Sequence, residues 1–383
     1  MWGNEQQRGL AHGTLLAKQI IDWLEFYMIR THLNGDVSLY NNFTQFLQSH
    51  FVFEDPFMTE IDAIFSGMQL EGVFFLKNFF FFFLFNNFVL FYLSFQKKKK
   101  KSQVEQSTTT MFAIRASGVN LTVPSLHRDF EVMDLLAMNS YLEVSAMIPG
   151  PYLHANISKL QPACTQFLAT ESMTFDRTFW AGRNMDGETD PWRVTVTHLI
   201  LFAIESTDNT PRIVSIMWPG FVGTLTGFNE WGVYTMVNAG NMGPSPVIGD
   251  LTPISFQMRA VLNTFVDVNT LTYTNVTDFL VSKFASEESN SGKGNGTSGS
   301  GVVAMIGWVD HDNEFSQPVS MFALEADRLA TVARIPGQNP DLPLQYGILA
   351  TNHFRVLGVD NVTAPEQQFL VYGMDVRTGD YSF

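Results

Sequence analysis

Cys164 is the only cysteine in the 383-residue chain, and its neighbours are those a thiol nucleophile needs. It follows Gln161-Pro162-Ala163 and opens a run, Thr165 to Thr170, that reads as a strand. A turn over Glu171 to Asp176 and a second strand-like run, Arg177 to Ala181, make a hairpin. The hairpin returns Gly182-Arg183-Asn184-Met185-Asp186 to the side of the cysteine. A guanidinium near a thiol favours the thiolate, which is the reactive form. A lone cysteine without such neighbours is ordinarily a small buried hydrophobe. Acyl transfer to sulfur also requires hydrogen-bond donors aimed at the developing oxyanion. Asn238 and Asn352 are the candidates, closing the apolar runs Val233 to Val237 and Tyr346 to Ala350. The competing reading makes both ordinary turn-forming residues at strand ends. Asn229, in Asn-Glu-Trp-Gly between two strands, reads as a structural turn residue.

Taken in order, these segments resemble those of the N-terminal nucleophile (Ntn) hydrolases. The branch is that of acid ceramidase, N-acylethanolamine acid amidase, the choloylglycine hydrolases and the acyl-CoA:6-aminopenicillanic acid acyltransferases. Cys164-Thr165, the hairpin and Gly182 to Asp186 carry the resemblance most specifically. Gly227-Phe-Asn229-Glu-Trp-Gly232 is similar to the family's Gly-x-Asn-x-x-Gly turn, and Thr351-Asn352-His353-Phe354 resembles a segment of the acyltransferase branch. His12-Gly13 through Ile20, and Asp134-Leu-Leu-Ala-Met-Asn139, are similar to parts of that branch's propeptide half.

The resemblance implies an α+β fold, the four-layer αββα sandwich, with Cys164 on an edge-accessible strand. Residues 1–163 would be a mainly helical propeptide and later small subunit; residues 164–383 would be the catalytic chain, and the two would stay associated. Cys164 would attack the carbonyl of Ala163, shift the chain from nitrogen to sulfur and free its own α-amine by hydrolysis. An α-amine, with an unperturbed pKa of ~8, is close enough to neutral to act as general base. Asp186 would orient that amine and Arg183 would favour the ionised sulfur. The implied activity is cleavage of a linear amide C–N bond in a small N-acyl substrate, a lipid among the choices, through a thioester on Cys164 and without metal or cofactor. Water as acceptor gives hydrolysis and an amine gives acyl transfer; one thioester serves both. A reading from another class is a non-catalytic glycoprotein anchored by residues 73–95, with Cys164 merely buried.

Composition bounds these readings. The chain is 45% hydrophobic with a net charge of −14, which supplies a large core and excludes a basic face for nucleic acid. Sequons at Asn42, Asn120, Asn156, Asn275, Asn295 and Asn361 suggest a secreted or lysosomal protein. Met1 to Arg8 is polar, without a leader, and the propeptide match is under way by Gly9 to Gly13, so a longer natural amino terminus is expected. The branch continues further beyond Asn352 than this chain does, so the carboxyl end is also expected to be short.

Val73 to Phe95 is almost continuously apolar and precedes Lys97 to Lys101. Its length suits a membrane span with a basic flank. Its Phe runs followed by Lys runs are also those of translated intron, and it interrupts the propeptide match; the intron reading is the one expected for residues 73–101.

Further strands are expected at Arg193–Ile204, which would pack His198 in the core, and at Ile213–Trp218, Phe221–Leu225, Val302–Val309, Val319–Glu325 and Thr331–Arg334. Helices are expected over Ser255–Phe265 and Val276–Ser286. Asp310-His311-Asp312-Asn313-Glu314 has the residue types of a metal site but reads as a solvated turn. Ser291 to Gly301 reads as a flexible loop rather than a phosphate cradle.

Overall fold

A computed structural model describes residues 1–70, 119–143, 164–175, 177–185, 190–207, 210–240, 250–265, 301–308, 321–326, 331–337 and 344–352, with short stretches at 73–75, 84–85, 88–89, 113–115 and 278. The amino-terminal half is helical: α1 (Glu5–Asp22), α2 (Val37–His50), α3 (Asp55–Met68) and α4 (Val132–Asn139). A capping box starts α1, with Asn4 Oδ1 accepting from Gln7 N at 2.9 Å and Gln7 Oε1 accepting from Asn4 N at 3.2 Å. The helix runs on into π-helical turns over Trp23–His32. There the five-residue spacing brings Arg30 Nε to Glu25 Oε1 at 2.7 Å.

Helices α1 and α3 approach closely because glycine lines their contact. A Cβ on Gly13 would stand 1.9 Å from Ile64 O, and one on Gly67 would stand 2.4 Å from Leu10 O. Any side chain at Gly13 pushes the helices apart.

From Cys164 onward the described strands build two antiparallel sheets. Strands β1 (Cys164–Glu171), β2 (Arg177–Met185) and β10 (Gly347–Ala350) form the smaller sheet, in the order β10-β1-β2. The larger joins β3 (Ile200–Ile204), β4 (Ile213–Met217), β5 (Thr226–Asn229), β6 (Val233–Ala239), β7 (Val302–Trp308), β8 (Met321–Ala326) and β9 (Thr331–Arg334) in the order β9-β8-β7-β6-β5-β4-β3. Alternation along each strand divides the core in two. Val237, Ala304, Ile306, Phe322 and Leu324 face the helices, among them α6 (Ile254–Thr264). Met236, Val303, Met305, Met321 and Ala323 face the smaller sheet through Leu168, Ile348 and Ala350. The described layers are therefore helix, seven-stranded sheet and three-stranded sheet, an α+β architecture with a helical amino-terminal half. The helix expected over 276–286 falls, but for residue 278, outside the described residues.

Three expectations are corrected. Cys164 begins the central strand of the smaller sheet, not an edge strand, because β10 and β2 pair on either side of β1. Arg193–Ile204 is not one strand: α5 (Val194–Thr197) precedes β3. His198 follows α5 partly buried, its Nε2 3.6 Å from Asp22 Oδ2, rather than packed in a strand. Phe221–Leu225 is a buried loop rather than a strand: Val222 N and Gly223 N donate to the Asn139 side chain, Thr224 N donates to Ser255 O, and Leu225 O, at its end, accepts from Val237 N of β6. In the 73–101 segment, Val73–Phe75 pairs with Ala113–Arg115 and Leu84–Phe85 with Phe88–Val89; the remainder lies outside the described residues. Among the described residues no helix is long and apolar enough to cross a membrane.

Buried polar groups tie the halves together. His12 Nε2 accepts from Gly220 N at 2.9 Å. Asn139 Oδ1 accepts from Val222 N and Gly223 N at 2.8 and 3.1 Å, and its Nδ2 donates to Gly220 O at 2.9 Å. Glu143 Oε1 accepts from Ile254 N at 2.7 Å, at the start of α6. Burial pushes the Glu143 carboxyl up from 4.5 to about 7, and burial holds His12 down from 6.5 to about 3.

The two effects on stability have opposite signs. Between 4.5 and 7 the folded state binds the Glu143 proton more tightly than the unfolded state, so this contribution falls as pH rises, by about 3 kcal/mol. Between 3 and 6.5 the unfolded state binds the His12 proton more tightly, so that contribution is lost as pH falls.

Two outcomes follow. Gly13→Ala lowers stability by about 1–3 kcal/mol in chemical denaturation, through overpacking. The stability difference between wild type and Glu143→Gln changes by about 3 kcal/mol in disfavour of wild type from pH 4.5 to 7; a difference constant with pH defeats the assignment.

Candidate active site

The inward positions of β1 are Cys164, Gln166 and Leu168, all buried, while Thr165 and Phe167 face outward. Gly182 is required opposite Phe167, whose ring would stand 2.2 Å from a Cβ there. With Cys164 paired to Met185 and Gln166 to Arg183, Arg183 shares the inward face with Cys164 as its diagonal neighbour. Its length carries Nη2 to 4.0 Å from Cys164 Sγ.

The guanidinium is held by uncharged acceptors of the larger sheet: Thr226 Oγ1 at 2.5 Å, Leu225 O at 3.3 Å and Val237 O. Among the described residues no carboxylate pairs with it. Its charge is therefore directed at the sulfur of Cys164, which is only 4% exposed; a guanidinium there favours the thiolate, and burial opposes it.

Asn352, two residues beyond β10, accepts the Cys164 backbone N–H on Oδ1, and its Nδ2 donates to Ala239 O at 2.7 Å. One partner is a donor and the other an acceptor, which fixes the orientation of the amide. Asn238 is wholly buried at the end of β6 and donates to Thr351 O at 3.2 Å. The two asparagines thus cross-link β6 and the end of β10 reciprocally. Each Nδ2 gives one of its two hydrogens to a backbone carbonyl, and Asn352 presents its oxygen to the Cys164 nitrogen. Asn238 Oδ1 is buried and has no hydrogen-bond partner among the described residues.

The structure brings together Cys164, Arg183, Asn238 and Asn352. Ala163 and Asp186 lie outside the described residues, as do His353, the 310–314 run, and residues 291–300 of the glycine-rich loop. Asn229 has the structural role expected: its side chain donates to Leu262 O and Phe265 O at 3.0 and 2.7 Å, and accepts from Trp231 N and Val233 N. Two neighbours were not singled out from sequence. Gln166 donates to Val303 O at 2.8 Å, joining the sheets beside Cys164; a polar residue at an inward position was its signal. Thr226, the anchor of Arg183, carried no signal at all. Among the described residues no three His, Cys, Asp or Glu side chains gather as a metal site requires. Neither of two described cavities, of about 170 and 400 Å³, is lined by Cys164.

No family model matches this chain, and no curated protein matches it. A solved structure, the Caenorhabditis elegans N-acylethanolamine-hydrolyzing acid amidase (NAAA) ortholog, matches at 16% identity and a TM-score of 0.34, over 50% of this chain and 70% of that chain.

Arg183→Met lowers the rate of Cys164 alkylation by iodoacetamide at neutral pH about tenfold, by removing the positive charge nearest the sulfur. Alkylation followed by mass spectrometry reads this directly, and an unchanged rate removes Arg183 from the site.

Proposed function

We propose that the chain is the precursor of a cysteine amidase of the N-terminal nucleophile type. It cuts itself between Ala163 and Cys164 and then cleaves linear amide bonds of small N-acyl substrates through a thioester on Cys164. The observation that carries this reading is the contact of Asn352 Oδ1 with the Cys164 nitrogen while Arg183 stands at the sulfur. The acceptor on that nitrogen is a side chain from the end of β10 rather than a backbone carbonyl of a neighbouring strand. It holds the peptide N–H before scission and the α-amine afterwards, where the amine must take the thiol proton. Asp186 is assigned the second contact to the amine. Asn238, with its buried carboxamide at the same place, is assigned the substrate carbonyl.

Two further observations support the whole. The helical half and the larger sheet share one continuous core, from Ile20 and Trp23 to Ala304 and Phe322, so residues 1–163 and 164–383 stay associated after cleavage. The sequon residues Asn42 and Asn120 are both exposed, as glycosylation in a secreted or lysosomal compartment requires.

The test is intact mass spectrometry of wild type and Cys164→Ala, each shown to be folded. Scission at 163/164 in wild type alone, with the fragments co-eluting in gel filtration, is expected. A wild-type chain that folds and stays whole would overturn the proposal in favour of a non-catalytic glycoprotein.

A further inference from the structure

The sequon residues Asn42 and Asn120 are both exposed, yet the fold gives them different surroundings. Asn42 lies inside α2 and borders neither of the two described cavities. Asn120 lies outside any helix or strand, in the sequon Asn120-Leu121-Thr122. Its Oδ1 accepts from Thr122 N at 3.0 Å, an Asx turn, and the Thr122 hydroxyl donates to Asp129 Oδ1 at 3.0 Å. The carboxamide is thus fixed through its oxygen. Its Nδ2, the atom that takes an N-linked sugar, has no hydrogen-bond partner among the described residues.

Asn120 also borders the groove of about 400 Å³, which runs between residues 119–124 and the helical turns around Asp22. Ile21 and Phe26 give this groove apolar surface, and Lys18 and Asp22 give it charged groups. That mixture suits a pyranose ring, whose C–H face is apolar and whose rim carries hydroxyls.

We propose that Asn120 carries an N-linked glycan whose first sugar, an N-acetylglucosamine, lies in this groove. The transfer joins Nδ2 to the anomeric carbon of a lipid-diphosphate-linked oligosaccharide. It breaks that carbon's bond to the diphosphate, which leaves with the bonding electrons, and the amide gives up one proton. The inference rests on the secreted or lysosomal compartment proposed above and is independent of the chemistry at Cys164. In the groove, the sugar adds contacts between the helices and residues 119–124. It lies beside the bonds that Ser125 N and Oγ make to the Glu25 carboxylate at 3.0 and 2.7 Å.

The experiment begins with the full chain expressed behind a cleavable secretion leader in a eukaryotic host that makes high-mannose glycans. Peptide mass spectrometry reads the sugar at each sequon, and Asn120 is expected to be occupied. Sugar at other sequons with Asn120 bare overturns this site and leaves the compartment reading standing; a chain bare at every sequon counts against both. The groove is read by thermal unfolding after endoglycosidase H, which leaves the first sugar on each asparagine. Wild type is expected to melt about 2 °C above Thr122→Val, which loses the sequon but keeps Asn120 and its turn. The same pair made in bacteria, without sugar, is expected to show no such gap. An equal gap from both hosts, or none from the eukaryotic one, overturns the groove contact.

Discussion

The carboxamide of Asn139 is the contact on which the rest of the arrangement depends. It closes α4 and sits fully inside the protein, where it answers the backbone of the buried loop through Val222 N, Gly223 N and Gly220 O. A loop taken from water must have its N–H and C=O groups answered, and at Gly220, Val222 and Gly223 a side chain does so. His12 supplies one more acceptor, at Gly220 N. The loop runs directly into Leu225 and Thr226, which hold the Arg183 guanidinium. A polar side chain of the helical half therefore acts on the charge beside Cys164 through a single short stretch of backbone.

The second constraint is the fixed distance between the two sheets. Apolar contacts of Leu168, Met236, Val303 and Met305 fill the space, but they do not specify register. Polar ties do. Gln166 reaches Val303 O from β1, and Arg334, 1% exposed and paired with Glu325 at 3.0 Å, reaches Leu349 O on β10 from the larger sheet. The reciprocal bonds of Asn238 and Asn352 complete the set beside Cys164. A buried ion pair such as Arg334–Glu325 adds little net stability, but its directionality fixes how the strands meet.

Much of the site was legible in the chain. Alternation in Cys164 to Thr170 and the hairpin that follows are local, and they placed Arg183 on the face of Cys164. The order of the motifs also pointed to Asn238 and Asn352. Their roles were not legible, because which end of a carboxamide meets which partner depends on strands 188 residues apart in sequence. Phe221–Leu225 read as a strand for a similar reason: its apolar content is that of buried backbone, and burial by helices looks the same in sequence as burial in a sheet.

The sequence by itself determined the hairpin that follows Cys164, the helical amino-terminal half and the division of each strand into two faces. Those properties follow from local propensity and from the two-residue period of a strand. Only the tertiary structure decided that Cys164 lies on a central strand, that Asn352 offers its oxygen to the Cys164 nitrogen, and that His12 and Asn139 serve the opposite half of the chain. Those are long-range pairings of buried polar groups. Their partners are mostly backbone atoms, which every residue carries alike, so no residue type could have announced them.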